Sequence, residues 1–423
     1  MAKNNLKYIA YYLPQFHIIP ENEEAWGEGF TEWTNVKSAY PLYNGHHQPI
    51  IPHDDIGYYS LEDSEIMKWQ AKTAKEYGLH GFCYYYYWFN GKTLLEKPLK
   101  NMLNDKEVDI PFCLCWANHN WTKNWDGGNK QIIIEQTYDE DTYTKFIDDL
   151  VPYFQDERYI KVDGKHMLII YQPCFLPDAK KAASIWKNYA KQKYGIELYL
   201  LFFQHTDFTN PKEYRFDAAL ENTPNVRARW AVCNIDKKID KAPNTCFIDY
   251  ITNIFQYVFR PTPDYTLFRC VYPKWDNTAR MKDRGAIIYL NSTLELFKKF
   301  LIELSNRAIK DNTPPFLFIN AWNEWAEGAY LEPDKENGYQ YLEVVKEIKN
   351  MSITELEQSG FDEKIKKQYK KKIEKYERNK VKFYLFGFIR IPFVSVKIYS
   401  HKVKLLLFGV IPLIKLSNIE IKD

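Results

Sequence analysis

The sequence predicts a (β/α)8 barrel, an α/β fold in which eight parallel strands, each followed by a helix, close into a cylinder. Eight short apolar or aromatic runs recur before residue 321, and segments with helical spacing separate them. No G-x-G-x-x-G or G-x-x-x-x-G-K-S/T pattern follows any of these runs. An open nucleotide-binding sheet is therefore the less favoured α/β arrangement.

The barrel, with its flanking helices, is predicted to occupy residues 1–350. Its predicted strands are, in chain order, Tyr8–Leu13, Gly81–Tyr87, Pro111–Trp116, Met167–Tyr171, Glu197–Phe203, Asp217–Glu221, Leu267–Tyr272 and Phe316–Asn320. Helical spacing marks the segments Leu61–Tyr77, Asp141–Phe154, Asp178–Tyr194 and Ser292–Lys310. The acidic triplet 139–141 contains the D-x-D pattern of sugar-nucleotide transferases. Because it directly precedes a helix, we interpret it as an N-cap.

Two glutamates, Glu324 and Glu327, follow the last predicted strand in the segment NAWNEWAEG (320–328). Cleavage of a glycosidic bond needs one carboxyl that protonates the leaving oxygen and a second that acts from the sugar side. Neighbouring tryptophans are suitable platforms for the apolar face of a sugar ring. For an isolated E-x-x-E, solvated glutamates beside core tryptophans are the commoner outcome. The position at a strand end favours catalysis here.

The other strand ends are also rich in aromatic and polar side chains, and active sites of such barrels form at these ends. We therefore predict a carbohydrate cleft. The predicted substrate-binding residues are His17, Trp33, Tyr86, Trp88, Trp116, Asn118, His119, Trp121, Tyr171, Gln204, Trp275, Asp276, Asn277, Asn320, Trp322, Asn323 and Trp325, with Trp125, Asp126 and Asp207 close behind them. The insertion at 20–52, which contributes Trp33 and Glu32, has no clear period. It forms either a cleft wall or a lid over the barrel.

Composition excludes several classes of function. The net charge of +2 gives no bias toward nucleic acid, and none is predicted as a partner. Seven cysteines without C-x-x-C spacing argue against a disulfide framework. His46, His47 and His53 lie near two aspartates but fix no ligand geometry, so no metal and no cofactor is predicted. Without a signal-like or 18-residue apolar stretch, we expect a cytoplasmic protein.

Six motifs resemble the bacterial WbsX-type glycosyltransferase family, which is similar to glycoside hydrolase family 99. They are YYLPQFH (11–17), WGEGFTEWTNV (26–36), GFCYYYYWF (81–89), FCLCWANHNWT (112–122), PKWDNTAR (273–280) and NAWNEWAEGAYLEP (320–333). The resemblance covers about residues 5–345 and implies a (β/α)8 barrel in lipopolysaccharide O-antigen or capsule synthesis. It also implies retaining chemistry through a 1,2-anhydro intermediate. Glu324 would be the base on the sugar 2-hydroxyl, and Glu327 the general acid and then base.

Two departures from the family pattern concern the proposed cleft. His119 stands where an acidic residue is expected in W-A-N-x-N-W, and LENTPN (220–225) replaces a more hydrophobic segment. The substrate or acceptor sugar is therefore expected to differ even where the chemistry is shared.

The segment 361–423 has a different composition. A lysine-dense run, Lys364–Lys382, has helical character, and the pattern K-V-K-x-x-L-F-G occurs at 380 and again at 402. Neither apolar half is long enough to cross a bilayer. A docking element, at the inner face of the plasma membrane or on a partner, is one interpretation. A small β appendage is the other.

The sequence thus leaves three classes of function open: a retaining glycosidase, a glycosyltransferase, or a non-catalytic glycan-binding barrel. The two glutamates favour an enzyme. We predict a carbohydrate-active enzyme of envelope polysaccharide assembly that acts on an oligosaccharide or polysaccharide, free or lipid-linked.

Overall fold

The computed structural model describes residues 3–123, 131–205, 209–224, 245–311 and 313–385, and four short strands between residues 387 and 417. The chain divides into two compact units, Met1–Gly360 and Phe361–Asp423. Each unit is described by itself.

The first unit is a closed barrel of eight parallel strands. They are β1 (Lys7–Tyr12), β2 (Leu79–Phe89), β3 (Phe112–Trp116), β4 (Lys165–Ile170), β5 (Leu198–Phe203), β6 (Ala218–Leu220), β7 (Leu267–Val271) and β8 (Phe316–Ile319). Each strand pairs with its neighbours in chain order, and β1 pairs with both β2 and β8, which closes the cylinder. The predicted (β/α)8 fold is confirmed, and each of the eight apolar runs contributes one strand.

Alternation along the strands determines which side chains fill the barrel, because successive residues point to opposite faces. The ring of Tyr11 in β1 packs against Phe203 and Phe318, at centroid distances of 5.4 and 5.8 Å, across the barrel interior. Its neighbour Tyr12 points outward and donates a 2.6 Å hydrogen bond to Gln70 of the helical layer. Both faces of the strand are therefore buried, as expected for a parallel sheet covered by helices.

Helices surround the barrel and continue past it. They are α1 (Pro20–Trp26), α2 (Glu32–Lys37), α3 (Ser64–Glu76), α4 (Lys97–Asn104), α5 (Glu140–Phe154), α6 (Ala179–Tyr194), α7 (Tyr250–Val258), α8 (Thr278–Met281), α9 (Leu294–Lys310), α10 (Gln340–Asn350) and α11 (Ile353–Gln358). The N-cap interpretation of the acidic triplet is confirmed, because the Asp139 carboxylate accepts a 2.7 Å hydrogen bond from the Thr142 N–H at the start of α5.

The insertion at 20–52, which shows no sequence period, contains the two short helices α1 and α2. Local signals start them: Pro20 opens α1, and the Thr34 hydroxyl accepts a hydrogen bond from the Thr31 N–H at the start of α2. Helices of six or seven residues are too short to show an amphipathic repeat. The sequence pattern therefore misses them.

Short strands and 3-10 turns complete the first unit. The additional strand pairings are Lys92–Leu94 with β2, Lys161–Val162 with β4, Trp121–Thr122 with Ile132–Ile134, Cys246–Asp249 with Ile287–Leu290, and Asn323–Glu324 with Ala329–Tyr330. The 3-10 turns are Pro173–Phe175, Pro211–Tyr214 and Trp325–Glu327.

The second unit consists of helix α12 (Glu363–Leu385) and a four-stranded antiparallel sheet. The strands of this sheet, in sequence and spatial order, are Gly387–Ile391, Val394–Tyr399, Lys402–Leu407 and Ile411–Ser417. Within the described parts of the chain, no helix is long and apolar enough to cross a membrane.

We expect the first unit to fold without the second, because it is compact by itself and contains the whole barrel. A chain ending at Gly360 should unfold in one cooperative transition, with a midpoint within about 2 °C of the same transition in the full chain. Thermal unfolding followed by near-ultraviolet circular dichroism tests this expectation. Loss of the cooperative transition in the shortened chain would contradict it.

Candidate active site

The loop that carries the glutamate pair leaves β8 and is fixed to the first strand of the barrel. The Asn323 side chain accepts a 2.7 Å hydrogen bond from the Leu13 N–H and donates a 3.0 Å hydrogen bond to the Leu13 carbonyl. The Trp322 N–H donates to the Tyr11 carbonyl at 2.7 Å. These contacts connect the two ends of the barrel sequence. As a result, Glu324 is placed at the carboxyl ends of the strands, where barrel active sites form.

A tight turn then positions Glu327. Gly328 has a left-handed backbone conformation, with φ of +63°, and a Cβ atom there would lie 3.0 Å from the backbone N and O of Asp276. The Asp276 N–H donates a 2.8 Å hydrogen bond to the Glu327 carbonyl. Glycine is therefore required at 328 both for the turn and for the close approach of the loop around Asp276.

Arg280 is the centre of the site, since its guanidinium binds three carboxylates. Its Nη1 donates a 2.5 Å hydrogen bond to Glu327 Oε1, and its Nη2 lies 3.3 Å from Glu324 Oε2. The third partner is Glu32 of α2, whose Oε1 accepts from Arg280 Nε at 3.2 Å and from Nη2 at 2.8 Å. One cation thus joins two barrel loops and the insertion after β1.

These carboxylates are buried to different degrees. The side chain of Glu32 is fully buried, that of Glu324 is 7% exposed, and that of Glu327 is 20% exposed. Burial and the nearby Glu327 charge raise the pKa of Glu324 and Arg280 opposes them, which leaves it at about 8. Burial also raises the pKa of Glu327, again against Arg280. Since three buried carboxylates surround one arginine, the pair retains a proton at neutral pH.

Three tyrosines face the pair from the neighbouring strands. Tyr85 and Tyr87 belong to β2, and Tyr171 follows β4. Burial raises the pKa of each phenol. The Glu324 carboxylate raises it further for all three, and Glu327 does so for Tyr171. Their hydroxyls therefore remain protonated at neutral pH and can donate as well as accept hydrogen bonds.

Beneath the loop, a fourth buried carboxylate, Glu332, anchors the tryptophan between the two glutamates. It accepts hydrogen bonds from Trp325 Nε1 at 2.6 Å, Gln70 Nε2 at 2.7 Å and the Tyr59 hydroxyl at 2.9 Å. Burial raises the pKa of Glu332 to about 7 despite these donors. The Trp325 ring lies against Tyr330, with centroids 4.0 Å apart. Trp325 is thus held from both its nitrogen and its ring face.

Several predicted site residues lie behind the mouth of the barrel. Tyr86, Trp88 and Trp116 point outward and pack against Phe146 of α5. Trp322 is buried against Phe82, and the ring of Trp33 packs on that of Trp325. The remaining buried aromatic candidate, Trp121, packs on Tyr87. None of these seven predicted residues, six tryptophans and one tyrosine, has an exposed ring face, as each is at most 4% exposed.

Other predicted residues bind the main chain or one another. The Asn118 amide makes two hydrogen bonds with the backbone of Gln172, at 2.7 and 2.8 Å, and so connects the ends of β3 and β4. Asn320 donates to the Thr223 carbonyl at 2.6 Å. The remaining polar partners are Asn277 with the Ile287 N–H, Gln204 with the Tyr265 hydroxyl and Arg260, and Asp276 with His46, Gln48 and Thr278.

Two further predicted substrate-binding residues are His17 and Trp275. His17 is buried, which lowers its pKa, and the charged side chains acting on it are Glu62, Lys97 and Glu96. Trp275 is partly buried, and its indole N–H has no partner among the described residues. Trp125, Asp126, Asp207 and Asn225, the last residue of LENTPN, lie outside the described residues.

A groove of about 720 Å³ is lined in part by Tyr171, whose phenol is close enough to the pair for Glu324 and Glu327 to raise its pKa. Its polar lining includes His119, Gln136 and Gln172. Two apolar side chains in it, Phe175 and Ile132, are 52% and 49% exposed. Burial lowers the pKa of His119 to about 4, so its imidazole is neutral at pH 7. The groove thus combines neutral hydrogen-bonding groups and one exposed carboxylate, that of Glu135, with exposed apolar surface, a composition that suits a sugar chain.

Sequence reasoning missed Arg280, Tyr85 and Tyr87. The period of two in GFCYYYYWF separates Tyr85 and Tyr87 from Tyr86 and Trp88, but both sets are aromatic, so the pattern does not show which one points inward. Arg280 lies 44 residues before Glu324 and 248 after Glu32. No spacing rule connects positions so far apart.

The fold and the site define a (β/α)8 barrel with a buried acid pair at its mouth. The model of the family described as glycosyltransferase WbsX matches residues 8–345. Two curated relatives, both called uncharacterized protein WxcX and found in two strains of Xanthomonas campestris pv. campestris, are each 38% identical over 342 residues. The match covers 80% of this chain and 49% of each relative, so the chain spans about half their length.

The chain therefore belongs to the WbsX glycosyltransferase family, as its motifs predict. Among solved structures, it is similar to a glycoside hydrolase-like protein, with a TM-score of 0.54 and 14% identity over 83% of this chain and 96% of that one. It is also similar to the GH99 endo-alpha-mannosidase from Bacteroides thetaiotaomicron, with a TM-score of 0.52 and 13% identity over 83% and 98% of the two chains. At these identities the likeness concerns the fold.

The raised pKa of Glu324 predicts a pH dependence of stability. The folded chain retains a proton that the unfolded chain releases above about pH 4.5, so this stabilisation is complete below pH 4.5 and is lost as the pH rises toward about 8. Glu324→Gln should therefore flatten the fall in melting temperature between pH 6.5 and 8. The buried histidines His17 and His119, whose pKa values are lowered, change their protonation mainly below this pH range.

Thermal unfolding at a series of pH values measures the effect. Glu357→Gln, at an exposed position on α11, is the matched control and should keep the wild-type slope. If Glu324→Gln shows that same slope, Glu324 does not retain the proton.

Proposed function

We propose that this protein is a carbohydrate-active enzyme that forms or breaks glycosidic bonds, with Glu324 and Glu327 as its acid–base pair. The observation that carries the proposal is the buried cluster of three carboxylates around Arg280 at the mouth of the barrel. A buried, net negative cluster destabilises a fold, so its presence favours a role other than stability. Perturbed carboxyl pKa values at a barrel mouth are typical of acid–base catalysts.

The reaction requires one protonated and one ionised carboxyl at the moment of bond cleavage. In the free protein, the proton that the pair retains lies mainly on Glu324, whose pKa is raised to about 8. The scheme requires this proton to be on Glu327 when the sugar reacts. Glu327 is the better-placed donor because it is the more exposed of the two. It can therefore reach the leaving oxygen, and later the incoming hydroxyl. Glu324 lies deeper and is held by the loop that Asn323 fixes to Leu13.

The resemblance to hydrolase family 99 suggests the sequence of steps. Glu324 takes the proton of the sugar 2-hydroxyl, and that oxygen attacks the anomeric carbon while Glu327 protonates the departing oxygen. The resulting 1,2-anhydro sugar is opened by water or an acceptor hydroxyl. In this second step Glu327 takes the proton of the incoming group, and Glu324 returns its proton to the 2-oxygen. Two displacements at the anomeric carbon give net retention.

Arg280 has a separate task in this scheme. Its guanidinium stays charged and stabilises whichever carboxylate is ionised as the proton moves between substrate and enzyme. Glu32 fixes the direction of that guanidinium through two hydrogen bonds. The hydroxyls of Tyr85, Tyr87 and Tyr171 are suitably placed to bind sugar oxygens over the pair.

The groove beside Tyr171 is the proposed path of the sugar chain away from the reacting residue. Its exposed Phe175 offers an apolar ring for stacking, and neutral His119 offers a hydrogen-bonding group where the family pattern predicts an acid. We expect a neutral sugar at this position, because the groove offers neutral polar groups and also the carboxylate of Glu135. Membership of the WbsX family supports a place in the synthesis of envelope polysaccharide.

Replacement of the proposed proton donor tests the mechanism directly. Loss of a general acid costs about 10²–10⁴-fold in rate. Glu327→Gln should lose that much with a poor leaving group, such as a natural glycan, and much less with activated aryl glycosides that need no protonation. A panel of aryl glycosides and oligosaccharides assayed for release or transfer of sugar provides the comparison.

Glu357→Gln should keep wild-type rates on both kinds of substrate. An equal loss on both kinds would reject Glu327 as the donor. Sugar binding without turnover by the wild-type chain would instead favour a non-catalytic glycan-binding barrel.

For the second unit, we propose interfacial contact with an anionic membrane through its lysine-dense helix α12. Each basic residue near an anionic surface contributes about 1 kcal/mol, screened over a Debye length of about 8 Å at physiological salt. The full chain should therefore bind anionic vesicles at least about tenfold more tightly than a chain ending at Gly360. Added salt should reduce the difference. Equal binding by the two chains, measured by vesicle sedimentation, would refute this contact.

A further inference from the structure

A second groove, of about 690 Å³, lies at the opposite end of the barrel from the glutamate pair. Lys7 begins β1, and Leu79 and His80 begin β2, so the groove is at the amino ends of the strands. The remaining lining residues are Lys3, Asn4, Asn5, Lys75, Gly78, Lys349, Asn350 and Met351. This lining includes four lysines and three asparagines but no carboxylate side chain.

The positive charge of this groove is largely uncompensated. Lys75 forms an ion pair with Asp109 at 2.5 Å. Among the residues that the structure describes, no carboxylate pairs with Lys3, Lys7 or Lys349. The surface therefore carries about three net positive charges around one concave space, whereas the whole chain carries only +2.

Burial and this positive charge together lower the pKa values of two groups in the groove, His80 and Lys349. Burial, together with the ammonium groups of Lys7 and Lys349, lowers the pKa of His80 to about 4. Burial likewise lowers the pKa of Lys349, and Lys7 adds to that effect. Lys7 and Lys349 are thus close enough for their charges to affect each other and His80.

The fold holds two of these cations in place. Lys349 Nζ donates a 2.7 Å hydrogen bond to the Leu6 carbonyl, and Lys7 Nζ lies 5.4 Å from the centre of the Phe316 ring. Gly78, with φ of +88°, allows the close packing, because a Cβ there would lie 3.0 Å from the Cβ of Lys349. Because these lysine side chains are already ordered in the folded protein, they lose less conformational entropy when an anion binds.

We propose that this groove binds a polyvalent oxyanion of the phosphate class. Several ammonium groups and side-chain amides around one space can satisfy the many acceptor oxygens of a phosphate or pyrophosphate, and lysine binds such groups as a point charge. A metal cation is excluded by the lysines, and a neutral sugar would leave the charges without partners. The volume is in the range of small-molecule sites. This inference does not depend on the function proposed for the glutamate pair.

Inorganic pyrophosphate is the probe for the first test, with the full chain. A bound anion should raise the pKa of His80 from its low value, and NMR titration of the His80 ring signal, assigned with His80→Gln, measures that shift. Because the wild-type chain supplies this readout, it does not depend on the folding of a lysine variant. An unchanged His80 titration at saturating pyrophosphate would overturn the proposal.

Calorimetry with variants provides the second test. Removal of the half-buried charge of Lys7 by Lys7→Gln should weaken pyrophosphate binding about fivefold, and the double change Lys3→Gln with Lys7→Gln should weaken it further. Lys100→Gln, an exposed lysine paired with Glu96 on α4, is the matched control and should bind as wild type does. Equal weakening by the control would show non-specific attraction and would also overturn the proposal.

Vesicles distinguish the two sources of the phosphate group. If Lys7→Gln weakens binding of the full chain to phosphatidylglycerol vesicles, the ligand is a lipid headgroup. If Lys7→Gln changes only pyrophosphate binding, the ligand is a soluble phosphate compound. If it changes neither, the groove is not a phosphate site.

Discussion

The interaction on which the site depends is the binding of one guanidinium by three buried carboxylates. Arg280 contacts Glu32 from the insertion after β1, and Glu324 and Glu327 from the loop after β8. Removal of one partner from a buried ion pair costs about 3–5 kcal/mol because the other charge is left uncompensated. The positions of the insertion, α8 and the loop after β8 therefore depend on one another.

A second constraint is that large aromatic rings are more stable when they are buried, and the tryptophans illustrate it. Trp88 and Trp116 lie between strands and α5, and Trp325 is held by Glu332 beneath the loop. Full burial of such a ring removes more apolar surface from water than exposure at a cleft would. Polar partners for the indole nitrogens, such as Asp149 for Trp88 at 2.7 Å, make that burial possible. The packed aromatic layer that results supports the loop after β8.

The barrel was predictable from sequence because each strand is a local apolar run whose length and spacing are visible without knowledge of its neighbours. The glutamate pair was predictable for the same reason, since Glu324 and Glu327 are close in sequence. The inward face of β2 was not, because aromatic residues occupy both faces of GFCYYYYWF. Arg280 and Glu32 join the site only through the tertiary fold. Likewise, Asn118 and Asn323 look like ligand-binding residues in the sequence, but their amides bind backbone groups of distant segments.

The contact between Asn323 and Leu13 joins residues 310 positions apart. During synthesis on the ribosome, Leu13 emerges long before Asn323 does. The loop with the two glutamates cannot acquire its final geometry until the eighth strand has been made and has paired with the first. A nascent chain with seven of its strands is consequently without the assembled acid pair, so any chemistry of this pair begins only once the barrel has closed.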